Sequence, residues 1–425
     1  MIEGHTGGRV QSPSEPVALV VGPGDRFLSG VSYYTALLTA ALSERGPVAA
    51  LLLRRICPRF VYPGRARVGQ TDGVLPLPDV PVCNGLDWFW GRSAFAAWRF
   101  WRRTQPSVVI LQWWTATVLH SYLALAWLTK RSGARLVLEF HEVQDVGEAR
   151  LPLVSRYTRA GMRLLLSRAD AVVVHSEFDR DALQKSYPQL SRLPIEVIPL
   201  GPFSHHVPDD VDGEGERTDM LPPLSERPGE PVRLLIFGVV RPYKGHNELA
   251  AAVRLLRNSG LDVHVSVVGE VWQGYREPLD AFAAVLPADR LTIVDRYVAD
   301  EEVPGFFANA DIVVLPYLRS SASGPLHTAM SFGLPVVTTE VGGLTEAADG
   351  YTGAVLVRPG DPAALAEGIR AAVPLVGIAH DDPHSWPRSA ERFEALLDRV
   401  GAHWGRSQTR LGGRPGRASL PGEVV

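Results

Sequence analysis

Short runs that are apolar on both faces recur along this chain, and they limit its fold more than any other feature. The first half offers VALVVG (17–22), VAALLL (48–53), VVILQW (108–113), LVLEFH (136–141), AVVVHS (171–176) and EVIPLG (196–201). The second half repeats the plan with RLLIFG (233–238), VHVSVVG (263–269), LTIVDRY (291–297), DIVVLPY (311–317) and PVVTTEVG (335–342). Helical patterns separate the runs. A strand apolar on both faces suits a parallel sheet covered by helices above and below. The 425 residues exceed one ordinary core and suit two domains of roughly 200 residues. The expected fold class is therefore α/β, with two Rossmann-like, doubly wound parallel-sheet domains.

The segment SHHVPDDVDGEGERTDMLPPLSERPGEP, rich in Pro, Gly and charge, reads as a linker or long loop at 204–231. It divides an N-terminal domain, 1–203, from a C-terminal one at 232–380. The tail 405–425 carries four arginines among Gly, Ser and Pro and reads as disordered. The first residues, MIEGHTGGRVQSPSEP, contain no apolar stretch of the signal-peptide kind, and two cysteines cannot build a disulfide framework. Both point to a cytoplasmic protein. A net charge of −3 gives no general case for a nucleic-acid partner.

In open α/β sheets, ligands bind beyond the C-terminal strand ends. Four loops there could hold an anion. The first is Ser29–Gly30, opening a helical pattern, where a glycine lets backbone N–H groups face a phosphate. The second is VVRPYKGH (239–246), which sets Arg241 and Lys244 at the mouth of a strand. The third is SSASGPLHTAM (320–330), where Ser323 caps a helix that begins Gly324, Pro325, Leu326. The last is the glycine pair in EVGGLTEA (340–347). Each alone would also suit an ordinary turn or capped helix. Together they suit a diphosphate. No GxxxxGK[ST] stretch is present, which argues against a P-loop nucleotidase.

The order RPYKG, VGE, Tyr297-Val298-x-Asp-Glu-Glu-Val, ADIVVLPY, SGPLHTAMSFGLPVV and VGGLTE resembles the donor domain of retaining glycosyltransferases of the family-4 type. The likeness is dense from about 232 to 372. It is sparser in the first half, at Ser29–Gly30, His141-Glu142, HSEFDRDAL (175–183) and VIPLGP (197–202). The resemblance implies the GT-B fold, two such domains facing across a cleft, with a helix at 381–404 crossing back to the first. It implies that Arg241, Lys244, Gly30, Ser323, Gly324, Pro325 and Leu326 bind a donor diphosphate. Tyr297, Val298 and Thr328 would bind the nucleoside, and His141 would line the reaction centre. His175 reads as structural. The family pattern also has two glutamates eight residues apart, one on the hexose and one on the ribose; here those positions are Ser320 and Thr328.

Residues 84–114 hold six of the ten tryptophans. On a helix Trp90, Ala94, Ala97 and Trp101 share one face, and Arg92, Arg99 and Arg103 the opposite one. Such a helix could lie at a membrane surface or pack its tryptophans into the core. The expected activity is transfer of a hexose from a UDP- or GDP-sugar to a glycan or polyprenyl-linked acceptor, cytoplasmic or peripheral on the inner face of the plasma membrane. With no acidic cluster or DxD triplet near the loops, no obligatory metal or other cofactor is expected. The alternatives are a non-catalytic sugar-nucleotide-binding subunit, or a GT-B sugar phosphorylase or epimerase.

Overall fold

The computed structural model describes residues 17–24, 30–55, 77–142, 152–188, 190, 193–203, 221–320, 322–402 and 404. Ser29, the linker up to residue 220 and the tail 405–425 lie outside them. In chain order the first sheet and its helices are β1 (Ala18–Pro23), α1 (Gly30–Ser43), β2 (Val48–Arg55), β3 (Val82–Asp87), α2 (Gly91–Thr104), β4 (Val108–Trp113), α3 (Leu119–Ser132), β5 (Arg135–Phe140), α4 (Pro152–Leu166), β6 (Ala171–Val174), α5 (Glu177–Ser186) and β7 (Ile195–Val197). These strands pair in parallel in the order 3-2-1-4-5-6-7.

The second sheet comprises β8 (Val232–Phe237), α6 (His246–Asn258), β9 (Val263–Val268), α7 (Glu277–Val285), β10 (Leu291–Val294), α8 (Val303–Ala308), β11 (Ile312–Leu315), α9 (Gly324–Ser331), β12 (Val336–Thr339), α10 (Gly343–Ala347), β13 (Ala354–Val357) and α11 (Pro362–Ala372). Its order is 10-9-8-11-12-13, again parallel. The chain then ends its described part with α12 (Trp386–Arg399). The two parallel-sheet domains are those expected from the apolar runs, and their arrangement is the GT-B fold that the family resemblance implies.

The both-face pattern of the strands has a direct use. Leu19, Val21, Val109 and Leu111 point into a core shared with α2 to α5. Their neighbours Ala18, Val20, Val108 and Ile110 point into the opposite core, with Tyr34, Leu38 and Leu42 of α1. That second core is closed by the far end of the chain. Ala390, Phe393, Leu396 and Leu397 of α12 and Trp404 belong to it. Burying each large apolar side chain contributes roughly 1.5–3 kcal/mol. Polar ties fix the crossing: Trp386 Nε1 donates to the Pro202 carbonyl at 2.8 Å, Arg399 pairs with Glu196 at 2.6 Å, and Trp404 Nε1 donates to Pro47.

Two strands lacked a run in the sequence. In β3, VCNGLD, Asn84 and Gly85 break the apolar series, and at the sheet edge only Leu86 of the strand is fully buried. β13 is four residues at the other sheet's edge. Edge strands need only one covered face, so their sequences carry half the signal. Among the described residues, no helix is long and apolar enough to cross a membrane.

Candidate functional site

Strand order reverses beside β1 and β4 in the first sheet, and beside β8 and β11 in the second. Those switch points leave a crevice beyond the strand ends. A cavity of about 220 Å3 occupies it, lined by both domains. Gly30 and Tyr33 of α1 and Phe203 contribute from the first domain. Gly238, Val239 and Lys244 follow β8, Glu270 follows β9, Arg296 to Val298 and Asp300 follow β10, and Gly324, Pro325 and Thr328 open α9.

The turn after β8 shows why its residues are spaced as they are. Pro242–Lys244 form one tight turn, with the Lys244 N–H bonded to the Arg241 carbonyl at 3.0 Å. Gly245 then takes φ 70°, and a Cβ there would collide with the Pro316 carbonyl. Only glycine lets the chain leave the turn into α6 at so close an approach. The result aims Lys244 back over the strand end. Its Nζ donates to the Tyr317 hydroxyl at 2.9 Å, sits 4.6 Å from that ring, and crosses Gly238, which has no side chain to block it. Gly269 passes so close to the Gly238 carbonyl that a Cβ would overlap it.

The structure separates the expected donor residues into two sets. Gly30, Lys244, Gly324, Pro325, Tyr297, Val298 and Thr328 line the cavity. Arg241, Ser323, Leu326 and His141 are not among its lining residues. The Arg241 guanidinium lies 4.2 Å over the Trp272 ring and donates to the Tyr243 hydroxyl at 3.4 Å. Ser323 is the N-cap of α9, its Oγ accepting the Leu326 N–H at 3.3 Å. Leu326 itself is fully buried in the second domain's core, so neither its side chain nor its capped N–H faces a ligand. Ser320 donates to the Ala322 carbonyl, and Thr328 Oγ1 donates to the Gly324 carbonyl at 3.1 Å.

Sequence reasoning missed Tyr33, Phe203 and Glu270; Arg296 and Asp300 belong to the segment around Tyr297 and Val298 expected to bind the nucleoside. Tyr33 was legible by spacing, since it lies three residues after Gly30 on the same helix face. Tyr33 and Phe203 pack together with Tyr297 from the opposite domain. Arg296 pairs with Glu302 at 2.5 Å. Burial and neighbouring Glu301 push the Asp300 carboxyl up to about 6. The glycine pair at 342–343 serves another purpose than holding an anion. It brings Glu346 of α10 across the cleft, where its carboxylate accepts the N–H groups of Glu177 and Phe178 at 2.6 and 2.8 Å, at the start of α5. A carboxylate there complements the helix dipole and satisfies amides left open by the first turn.

Beyond β5 and β6 lies a polar cluster that the strand register assembles. Phe140 pairs with Val174, so the next residues, His141 and His175, emerge side by side. His175 Nε2 is 3.1 Å from His141 Nδ1, and His175 Nδ1 is 2.9 Å from the Ile198 carbonyl. Glu139 Oε1 accepts from the Tyr34 hydroxyl at 2.5 Å and lies 4.0 Å from His175 Nε2. Burial pushes the Glu139 carboxyl up to about 8 and His175 down to about 4. His141 is held well below its ordinary value by burial and by His175. All three are neutral at pH 7. Glu139, His141 and His175 each offer an atom that could hold a metal ion, within 4.8 Å of one another. Glu139 Oε1 is already bonded to Tyr34 and the two rings to each other, so an ion bound through those atoms would have to displace these partners.

The tryptophan-rich helix differs from the face drawn from sequence. Trp101 and Ala97 are buried against the sheet, so Trp101 cannot touch a membrane. Trp90 precedes α2 and donates from Nε1 to Ser121 Oγ at 2.9 Å, its ring stacked on His120. Within α2 the exposed aromatics are Phe95 and Trp98, with the guanidinium groups of Arg99 and Arg102 over their rings, and Phe89 and Trp90 just before it are exposed as well. Arg92, Arg99 and Arg103 are exposed as expected.

A family model described as glycosyl transferase 4-like domain matches residues 29–201, and one described as glycosyl transferases group 1 matches 231–373. The GDP-mannose-dependent alpha-(1-6)-phosphatidylinositol monomannoside mannosyltransferase of Mycolicibacterium smegmatis is 27% identical over 54% of this chain and 59% of its own length. The D-inositol 3-phosphate glycosyltransferase of Nocardia farcinica is 29% identical over 64% of each. The chain thus spans about three fifths of the length of these relatives. Among solved structures, the catalytic domain of starch synthase IV from Arabidopsis thaliana, bound to ADP and acarbose, superposes with a TM-score of 0.63 at 15% identity, covering 91% of this chain and 99% of that one. The two family models together match most of the chain, a glycosyl transferase 4-like domain on one side of the cleft and a glycosyl transferases group 1 domain on the other, and with the fold they make the chain similar throughout to GT-B glycosyltransferases.

Proposed function

We propose that the protein is a retaining glycosyltransferase that moves a hexose from a nucleotide diphosphate sugar to a glycan or lipid-linked acceptor. The observation that carries this is the shared cavity, where Lys244 and the opening residues of α9 converge with Gly30 from the facing domain. Positive charge at Lys244 and the amide end of α9 would stabilise the diphosphate as it departs. The base would lie against Tyr297 and Val298, packed by Tyr33 and Phe203. Donors named for relatives, such as GDP-mannose, support a nucleotide sugar in this role. Because these groups supply the charge, no metal is required, and activity should survive EDTA treatment. The test is a panel of UDP- and GDP-sugars, scored by thermal shift and by the anomeric configuration of the product in NMR. An inverted product would overturn retention; no bound nucleotide would overturn the donor site.

A second reading, a non-catalytic sugar-nucleotide-binding subunit, is favoured by Ser320 and Thr328. Their hydroxyls are bonded to nearby carbonyls where the family pattern has carboxylates. Tight nucleotide binding without release of sugar would favour that reading. We further propose contact with an anionic membrane surface through Phe95, Trp98, Arg92, Arg99 and Arg102, with apolar rings at headgroup depth and arginines toward phosphates.

A further inference from the structure

We propose that His175 is a positioning residue that fixes which ring nitrogen of His141 carries the proton. The inference rests on the glycosyl-transfer reading above and on the place at the reaction centre that the family resemblance implies for His141. A backbone carbonyl can only accept a hydrogen bond. His175 Nδ1, 2.9 Å from the Ile198 carbonyl, must therefore carry a hydrogen. In a neutral imidazole the other nitrogen is then bare, so His175 Nε2 is an acceptor. It faces His141 Nδ1 at 3.1 Å, which must be the donor. His141 is thereby held as the Nδ1–H tautomer, and its Nε2 is an acceptor.

The surroundings keep both rings neutral, which the argument needs. The edge of the Tyr34 ring packs on both, with centroids 4.6 and 5.3 Å away. Glu139, the nearest carboxyl, is bonded to the Tyr34 hydroxyl and is neutral at pH 7, so it offers no counter-charge. From the facing domain His327 of α9, itself buried and held well below its ordinary value by that burial, brings no charge to the pair. A core filled by apolar residues would avoid the desolvation cost of these polar groups. The order Ile198 carbonyl, His175, His141 is the arrangement by which proteins set a histidine tautomer. As an acceptor at Nε2, His141 takes a hydrogen bond from a hydroxyl and cannot donate one to a ring or phosphate oxygen. That selects a substrate presenting O–H at this point.

The test uses the full chain with ring-15N histidine and reads tautomers by long-range 1H–15N correlation at pH 7, with His141→Gln assigning the signal. His141 is expected as Nδ1–H in the wild type. His175→Phe keeps the ring but removes the acceptor, so His141 should lose its single tautomer. Turnover should fall roughly 10- to 100-fold, the effect of leaving a buried donor unpaired, with the donor KM within about 2-fold. His175→Gln offers an amide oxygen and N–H spaced like the two ring nitrogens, and should restore both readouts in large part. If His175→Phe does not fold, the wild-type tautomer and the Gln variant still decide. An Nε2–H or cationic His141 in the wild type would overturn the relay, as would wild-type turnover in His175→Phe. The tautomer measurement needs no substrate. The expected tautomer with no turnover on any nucleotide sugar would overturn the glycosyl-transfer reading, and the positioning role with it.

Discussion

On the C-terminal side of the cleft, shape comes from glycines and the charged groups stay at the edge of water; on the N-terminal side, polar side chains are sealed in the core and held neutral. Gly245 and Gly269 let backbone segments approach until no Cβ would fit, and Lys244 crosses over Gly238 beside them. Glu139, His141 and His175 instead sit 8% exposed or less, each bonded to another polar group. The first arrangement depends on steric room and tolerates solvent. The second depends on where protons rest, and would fail if water entered. The proposed reaction, in which a charged group leaves and a hydroxyl attacks, has use for both.

The sharpest way to break the comparison is to add a methyl group on each side. Gly245→Ala should destabilise by about 3 kcal/mol or more, because it combines a left-handed backbone with a collision against the Pro316 carbonyl. Gly30→Ala, with open space around the would-be Cβ, should change stability by less than about 0.5 kcal/mol. Urea melts of both variants read this directly. Equal losses would show that the C-terminal glycines are not special.

Removing charge comes next. Lys244→Ala should weaken nucleoside diphosphate binding by roughly 10- to 100-fold, the value of a charge-assisted hydrogen bond. Arg241→Ala should cost less, because its guanidinium is stacked on Trp272 and outside the cavity lining. Calorimetric titration with a nucleoside and its diphosphate separates the two. A larger loss at Arg241 would mean that it swings off Trp272 to the phosphate.

The N-terminal cluster predicts a pH signature. Glu139 titrates near 8 when folded and near 4.5 when unfolded, so the folded state holds the extra proton between those values. Its contribution is complete below about pH 4.5 and is lost as pH rises through 8. His175, lowered to about 4, acts in the opposite sense: its contribution is complete above pH 6.5 and is lost as pH falls toward 4. Glu139→Gln should flatten the alkaline decline in melting temperature and leave the acid one. A wild-type decline on the alkaline side that survives the substitution would place the proton elsewhere.

The smallest expected effect is at the surface of α2. Charge reversal of Arg92 and Arg99 should weaken binding to anionic vesicles by about 1 kcal/mol per residue, while neutral vesicles show no change. Sedimentation unaffected by reversal would remove the membrane from the proposed function.

The fold was legible where strands are apolar on both faces, and illegible at β3 and β13, whose edge positions demand less of them. The cavity lining was legible at Lys244, Gly324 and Thr328 because strand, turn and helix start follow one another in sequence. Arg241 and Leu326 lie outside that lining, because adjacency along the chain does not say which way a side chain points. Trp272, which takes up Arg241, is thirty-one residues farther on and comes close only through the pairing of β8 with β9. The pairing of His141 with His175 was within reach, since both end adjacent strands at matched register. It needed the strand order, which no local pattern supplies.

The crossing of α12 has a consequence for how the protein is made. All seven strands of the first sheet leave the ribosome before the second domain begins, yet Phe393, Leu396, Leu397 and Trp404 complete their core. At roughly 5–20 residues per second, the roughly 200 residues between β7 and Trp404 take on the order of 10–40 s to synthesise. Throughout that time Tyr34, Leu38 and Leu42 of α1 lack part of their cover. The domain translated first is thus the domain finished last. A message truncated between the codons for Ala372 and Phe393 would release an intact second domain tethered to a sticky, unfinished first one, a natural target for chaperones and proteases.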